Sequence, residues 1–244
     1  MKNLIPYFTL GYPDNETLMK FLKVIPVNKI NYLEFGFPSN DPRYDGPVIR
    51  ETHKIGNKNF RDDLYDEFFS YFHKNGIKMY SLSYYSDIKP RFSEFIDYLQ
   101  TRNFSGIIIP DLIIDYYSEA KDTIDYLNKN GFEYIPFFSP ATPDKIITGI
   151  SELTDSWIYY GLQPSTGIDI PYELDYTTER INSLLPGREI TYGFGIKTEE
   201  DIKSLMRNGG SGVAIGTYLE KMLEKNDEGG FLGYIDKMRG VLDA

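Results

Sequence analysis

No cysteine occurs in these 244 residues, and histidine occurs only at His53 and His73. Without thiols there is no disulfide framework, no thiolate metal site and no cysteine nucleophile. Two histidines leave little material for a multi-histidine metal centre or a His-based triad. Positive charge is also scarce. The chain has 26 Lys and Arg against 36 Asp and Glu, a net charge of −10, which argues against nucleic acid or an anionic membrane as the main partner. A small phosphate ester stays open, because backbone N–H groups bind one without a basic patch. No apolar run approaches the roughly 18–20 residues of a membrane span. Met1-Lys2-Asn3 leads straight into a strand pattern with no signal-peptide core. A soluble, cytoplasmic protein is the expectation. Gly/Ser-rich linkers, charge blocks and low-complexity stretches are missing too, so residues 1–244 read as one domain. At 41% hydrophobic and 25% charged, the chain has material for a sizeable core.

Short apolar runs alternate with longer amphipathic ones. The strand candidates are Leu4–Leu10, Ile30–Phe37, Ile77–Tyr84, Gly106–Ile109, Tyr134–Phe138, Trp157–Tyr160, Ile190–Phe194 and Gly212–Ile215. Most are continuously apolar rather than alternating, as expected of strands covered on both faces. Helical patterns fall between them at Glu16–Val24, Asp62–Lys74, Arg91–Thr101, Tyr116–Asn130, Lys145–Ser151, Thr177–Leu185, Glu199–Arg207 and Tyr218–Lys225, and Phe231–Leu242 closes the chain. Asn75-Gly76 and Asn130-Gly131 are stop signals, and Thr198-Glu-Glu-Asp is a start. Alternation implies a parallel sheet, and eight strand–helix units in about 250 residues predict a (β/α)8 TIM barrel. A doubly wound open sheet, the competitor, rarely needs eight units at this length.

One acid, Glu34, stands inside the apolar second strand. The loop that follows carries Asp41 and Asp45. A carboxylate in such a strand is expensive to bury. Two acids in different environments, facing each other across a small substrate, suit acid–base chemistry. The competing reading is a buried Glu paired to Lys or Arg, with the aspartates making turns. Barrel active sites lie at the C-terminal strand ends, which is where Glu34 and Asp45 fall, so the barrel favours the first reading.

Three glycine-containing turns follow the sixth, seventh and eighth strands: Pro164-Ser-Thr-Gly-Ile, Gly193-Phe-Gly-Ile and Ile215-Gly-Thr-Tyr. Glycine lets backbone N–H groups approach a ligand, and barrels bind phosphate between the last two of these loops. Thr166, Gly167, Gly195, Gly216 and Thr217 therefore form a predicted phosphate cradle. Tyr7, Leu82, Tyr84, Ile108, Tyr160 and Phe194 lie in or just after strands and form a predicted apolar slot for a flat ring. Tyrosine is abundant here, so ordinary packing competes for each of these positions.

The run LEFGFPSNDPRYDGPVI (Leu33–Ile49) resembles the signature of the tryptophan synthase α subunit family. The resemblance continues through PYFTLGYPD (Pro6–Asp14), GIIIPDL (Gly106–Leu112), YYGLQPSTG (Tyr159–Gly167), YGFGI (Tyr192–Ile196) and GVAIGT (Gly212–Thr217), in family order and over nearly the whole chain. It implies retro-aldol cleavage of indole-3-glycerol phosphate to indole and glyceraldehyde 3-phosphate. Glu34 then matches the acid–base residue, and Asp45 the acceptor of the indole N–H. The phosphate and indole positions are those named above. No metal or cofactor is implied in this chain. The implied partner is a β subunit carrying pyridoxal phosphate, in an α2β2 complex, with indole passing between the two. Asp41 and Thr166 match residues that couple the loops Asn40–Pro47 and Gln163–Ile170.

Departures from the family pattern cluster on the partner-facing side. Only three residues precede the first strand, so the N-terminal helix that caps many members is expected to be absent. Ser39-Asn40-Asp41 stands for Phe-Ser-Asp, and Arg43-Tyr44 replace small or apolar residues. The loop after the sixth strand is short and lacks an Arg often found there. Two alternatives remain: another phosphate-binding barrel, such as a sugar-phosphate isomerase or prenyl glyceryl-phosphate synthase, and a non-catalytic allosteric subunit. The strand-borne Glu34 followed by Asp45-Gly-Pro discriminates against both.

Overall fold

The computed structural model describes residues 1–163, 174–196 and 198–244. Among these, nine strands form one parallel sheet. They are β1 Asn3–Thr9, β2 Tyr32–Gly36, β3 Lys78–Leu82, β4 Gly106–Ile108, β5 Glu133–Ile135, β6 Phe137–Phe138, β7 Ile158–Gly161, β8 Ile190–Gly193 and β9 Gly212–Ile215. The order is β5-β4-β3-β2-β1-β9-β8-β7-β6. The two ends of that order, β5 and β6, are one stretch of chain interrupted at Pro136, which has no N–H to donate. Its first part pairs with β4 and its second with β7. The sheet thus closes into the predicted eight-stranded barrel, with Tyr134–Phe138 broken in the middle. β7, β8 and β9 are the predicted sixth, seventh and eighth strands.

The helices are α1 Asn15–Val24, α2 Pro47–Asn59, α3 Asp66–Lys74, α4 Tyr85–Ile88, α5 Phe92–Thr101, α6 Leu112–Asp115, α7 Tyr117–Lys129, α8 Asp144–Ser151, α9 Leu174–Leu184, α10 Glu199–Arg207, α11 Thr217–Glu224 and α12 Glu228–Asp243. Three were not anticipated: α2 and the single turns α4 and α6. Caps explain several boundaries. Asp14 accepts from Thr17 N to start α1, and Thr198 with Asp201 forms a capping box on α10.

Side chains alternate across each strand, and this produces two cores. Leu4, Phe8, Leu33, Phe35 and Ile107 face the helices in the larger one. Ile5, Tyr7, Tyr80, Leu82, Ile108 and Tyr159 face inward in the smaller. At the N-terminal end Trp157 stacks on Tyr32 (6.0 Å between centroids) and meets Tyr80 edge-on at 5.4 Å. This aromatic plug closes the bottom of the barrel beneath the cavity at the C-terminal strand ends.

Candidate active site

Glu34 points into the barrel from β2, level with Tyr7 of β1 and Tyr80 of β3. It is 1% exposed. Among the described residues neither of its carboxyl oxygens has a hydrogen-bond partner, and no Lys or Arg pairs with it. Burial, with the neighbouring Asp45 charge second, pushes its pKa up to about 8. Glu34 is therefore a protonated acid at neutral pH, unlike an ion-paired structural glutamate.

Asp45 precedes α2 and is also buried. Burial raises it to about 7 against the opposing pull of Tyr84 and Arg50. The Tyr84 hydroxyl donates to its Oδ2 at 2.8 Å. Arg50 Nε donates to the Asp45 carbonyl at 2.6 Å, and its Nη2 to that of Arg43 at 2.6 Å. The two acids thus differ in surroundings: Asp45 is supported by donors and Glu34 by none, so Glu34 holds its proton to higher pH than Asp45.

Both acids line a cavity of about 1130 Å³ that also reaches Tyr7, Leu82, Phe194, Gly195, Gly216 and Thr217. Gly195 has φ +94°, a backbone conformation that favours glycine, and a Cβ there would lie 2.6 Å from Gln163 Cγ. The N-terminus of α11, at Gly216, carries no side-chain cap. Its first N–H groups open on the cavity and suit an anion. Beyond them the cavity continues outward past Lys203, Lys221 and Lys237. Thr166 and Gly167 lie outside the described residues, as does their part in the predicted cradle.

The predicted ring slot needs one correction. Tyr7, Leu82, Tyr84 and Ile108 belong to the inner cluster, with Phe194 packed on it; Tyr84 stands beside Asp45 as its hydrogen-bond donor. Tyr160 faces the other way. It belongs to the helix-facing core, with Arg180 Nη1 3.4 Å from its hydroxyl. Tyr159 turns inward instead and lines the cavity, because a strand sends adjacent side chains to opposite faces. A Cβ on Gly193 would meet the Tyr159 hydroxyl at 2.5 Å, so glycine at that position makes room for the ring.

Asp41 is exposed and pairs with Arg43 at 2.5 Å; its predicted partner Thr166 is not among the described residues. The unusual Arg43 and Tyr44 share a function. Both reach Asp115 on α6, at 3.2 and 2.8 Å, tying the loop after β2 to the segment after β4.

Sequence reasoning missed three further groups. Ile49 lines the cavity from α2, and His53 of the same helix is fully buried beside Asp45, with Nε2 3.6 Å from Oδ2. The signal for α2 was Gly46-Pro47, since proline favours the first helical position. The third is Glu220 on α11, fully buried, which accepts from Thr9 N at 2.6 Å. Burial raises it to about 8, although its hydrogen bonds with Thr9 pull it down.

Glu220, Glu34 and Asp45 all hold protons in the fold at pH values where the unfolded chain has released them. Each therefore lowers stability as pH rises from its unfolded pKa towards its folded one, by roughly 1.4 kcal/mol per pH unit per group. Glu220→Gln should remove one proton's worth of that slope. Denaturant titrations at pH 6 and pH 8 should show the wild-type loss of stability reduced in the variant; an unchanged slope would mean Glu220 is ionised in the fold.

A closed parallel barrel with an acid pair and a glycine-lined helix N-terminus in one cavity at the C-terminal strand ends has the layout of a (β/α)8 enzyme. The comparisons narrow this. The family model for the tryptophan synthase alpha chain matches residues 1–232. The tryptophan synthase alpha chain of Saccharolobus solfataricus is 32% identical, over 99% of this chain and 97% of that protein. Among solved structures, a mutant tryptophan synthase alpha-subunit from Pyrococcus furiosus superposes with TM-score 0.82 at 25% identity, covering 99% of both chains. A tryptophan synthase complex from the same organism shares the fold, with TM-score 0.80 at 24% identity over 98% of this chain and 97% of that one. The chain belongs to the tryptophan synthase alpha chain family. No helix among the described residues is long and apolar enough to cross a membrane.

Proposed function

We propose that this chain cleaves indole-3-glycerol phosphate to indole and glyceraldehyde 3-phosphate, with Glu34 as the acid–base group and Asp45 as the stabiliser of the indole cation. The observation that carries this reading is the unpartnered, protonated Glu34 beside a donor-supported Asp45 in one cavity. Breaking the bond from indole C3 to the glycerol chain requires C3 to become tetrahedral. Glu34 gives its proton to C3, and positive charge develops over the ring and its N–H. Asp45 accepts a hydrogen bond from that N–H and offsets the charge. The bonding pair returns to the ring, the adjacent hydroxyl becomes the aldehyde, and the Glu34 carboxylate takes the hydroxyl proton. The proton count balances, and Glu34 returns to its starting form.

Tyr7, Leu82, Tyr159 and Phe194 would hold the indole, and Gly195, Gly216 and Thr217 the phosphate. Thr166 and Gly167 would add to the phosphate site, as the glycine turn after the sixth strand and the family resemblance both imply. The partner would be a β subunit holding pyridoxal phosphate, in an α2β2 complex in the cytoplasm. The N-terminus of α11 supports the phosphate assignment. A Cβ at Gly216 would sit 3.0 Å from Tyr7 Cδ1, so a bulky side chain there must displace the Tyr7 ring or shift the start of α11. Gly216→Val should weaken binding of glycerol 3-phosphate by about tenfold or more, the scale of a lost hydrogen bond to a charged group. Calorimetry showing wild-type affinity would move the phosphate elsewhere.

The deciding experiment is indole release from indole-3-glycerol phosphate by the purified chain, alone and with added β subunit. Release that rises with the partner and vanishes in Glu34→Gln supports both the reaction and the coupling. Binding without release in either condition points to a non-catalytic subunit, and no binding to a different phosphorylated substrate.

A further inference from the structure

His53 is buried beside the acid pair, yet the reaction as written gives it nothing to do. The Ser39 N–H donates to its Nδ1 at 2.9 Å, so Nδ1 is an acceptor and, in the neutral ring, the proton lies on Nε2. The hydroxyl contacts on the other side accommodate the same tautomer. The Thr52 hydroxyl donates to the Ile49 carbonyl at 2.8 Å. The Thr9 hydroxyl lies 2.7 Å from Thr52 Oγ1 and 3.1 Å from the Tyr7 hydroxyl, and also meets Glu220. The Tyr7 hydroxyl, 3.3 Å from Nε2, accepts from it. The Ser39 N–H thus fixes the tautomer.

We propose that His53 is a positioning residue for Asp45, locked as the Nε2–H tautomer, and that it links the loop after β2 to the reacting groups. This rests on the role proposed for Asp45. The Nε2–H donates to the Tyr7 hydroxyl at 3.3 Å and stands 3.6 Å from Asp45 Oδ2, in electrostatic contact with it. Tyr84 donates to the same Oδ2. The Tyr84 hydroxyl and the positive end of the His53 N–H dipole meet at the same carboxylate oxygen, which orients the group and leaves Oδ1 for the N–H of the ligand. The contact from Ser39 makes this orientation depend on the loop. Ser39 is itself held by Asn57, whose Nδ2 donates to its carbonyl at 2.6 Å, and by Asp87, which accepts from its hydroxyl at 2.5 Å. Displacing the loop would remove the acceptor requirement at Nδ1 and free the ring to change tautomer or turn.

Titratable groups surround the ring. β1 contributes Tyr7, the loop after β2 contributes Asp45, and Tyr84 meets the ring edge-on at 6.3 Å. Glu220 of α11 stands behind Thr9, and Glu34 lies across the cavity. Burial holds His53 down to about 4, so it remains a neutral donor throughout the working range instead of a charge that would bind Asp45 permanently.

The first test needs no variant. The chain has only one other histidine, the exposed His73, so nitrogen-15 NMR of the full chain resolves both rings. His53 should show the Nε2–H tautomer and no titration between pH 5 and 9. An Nδ1–H tautomer, or a charged ring at neutral pH, would overturn the proposal whatever Asp45 does in catalysis. The second test separates the two ring nitrogens. His53→Asn keeps an acceptor near Ser39 and loses the reach to Asp45, whereas His53→Gln keeps a donor near the Nε2 position. His53→Asn should lower kcat about tenfold with KM little changed and move the acid limb of the pH profile upward, as expected when an N–H dipole that favours the ionised Asp45 is lost. His53→Gln should recover most of that loss. Equal losses in both variants, following thermal stability and leaving the pH profile unmoved, would make His53 structural and overturn the positioning role.

Discussion

Glu34→Gln should cleave indole-3-glycerol phosphate at least about 10³-fold more slowly than the wild type, because in the proposed reaction both proton transfers pass through this one carboxyl and each such step is worth about 10²–10⁴. Binding should change little. At neutral pH the wild-type side chain is already uncharged, held at about 8 by burial and by Asp45, so the substitution exchanges one neutral group for another of similar shape. Neither original oxygen has a partner to lose among the described residues. The stability effect should run opposite to the activity effect. Between about pH 4.5 and 8 the unfolded wild-type chain gains from releasing the Glu34 proton while the fold retains it, and the variant has no such loss, so the variant should be the more stable protein at pH 8. Steady-state rates and denaturant midpoints measured on the same preparation test both halves. A near-wild-type rate would remove Glu34 from the chemistry. A slow variant that is also destabilised at pH 8 would show that the side chain is ionised in the fold.

The barrel was legible because its strands are covered on both faces and read as unbroken apolar runs between amphipathic ones. That same continuity conceals the phase of each strand. In Trp157-Ile-Tyr-Tyr both faces are apolar, so nothing local says whether Tyr159 or Tyr160 turns inward, and the ring slot was assigned the wrong one. Glu34 escaped this ambiguity by being the lone acid in its strand. α2 was missed for the opposite reason. Its buried face is Ile49, Thr52, His53 and Gly56, a mostly polar stripe, because it packs against the hydrogen-bonded rim of the cavity as well as apolar core. Periodicity methods weigh hydrophobicity, and the helix that carries the most polar part of the site has little of it. Glu220 was hidden similarly: at the amphipathic start of α11 a glutamate looks like surface until the backbone of β1 is brought against it.

Asp45→Asn should lower the cleavage rate by about 10²–10³, the range found when one preorganised electrostatic partner of a transition state is removed. An amide oxygen can still accept from the indole N–H, so ground-state binding should survive. What is lost is the full negative charge that grows in value as C3 is protonated. The pH profile is the sharper measurement. The working state has Glu34 protonated and Asp45 ionised. The wild-type rate should therefore fall below about 7, where Asp45 takes up its proton, and again above about 8, where Glu34 loses one; both limbs belong to the coupled pair. In Asp45→Asn the acid limb should disappear. The alkaline limb should remain but move to lower pH, because the Asp45 charge is one of the two causes that raise Glu34, and removing a like charge makes ionisation of Glu34 easier. A variant that retained its acid limb would show that another group, not Asp45, sets it. One whose alkaline limb stayed in place would show that the two carboxyls do not sense each other. Near-wild-type rates across the range would mean that the indole cation is stabilised by some other part of the cavity.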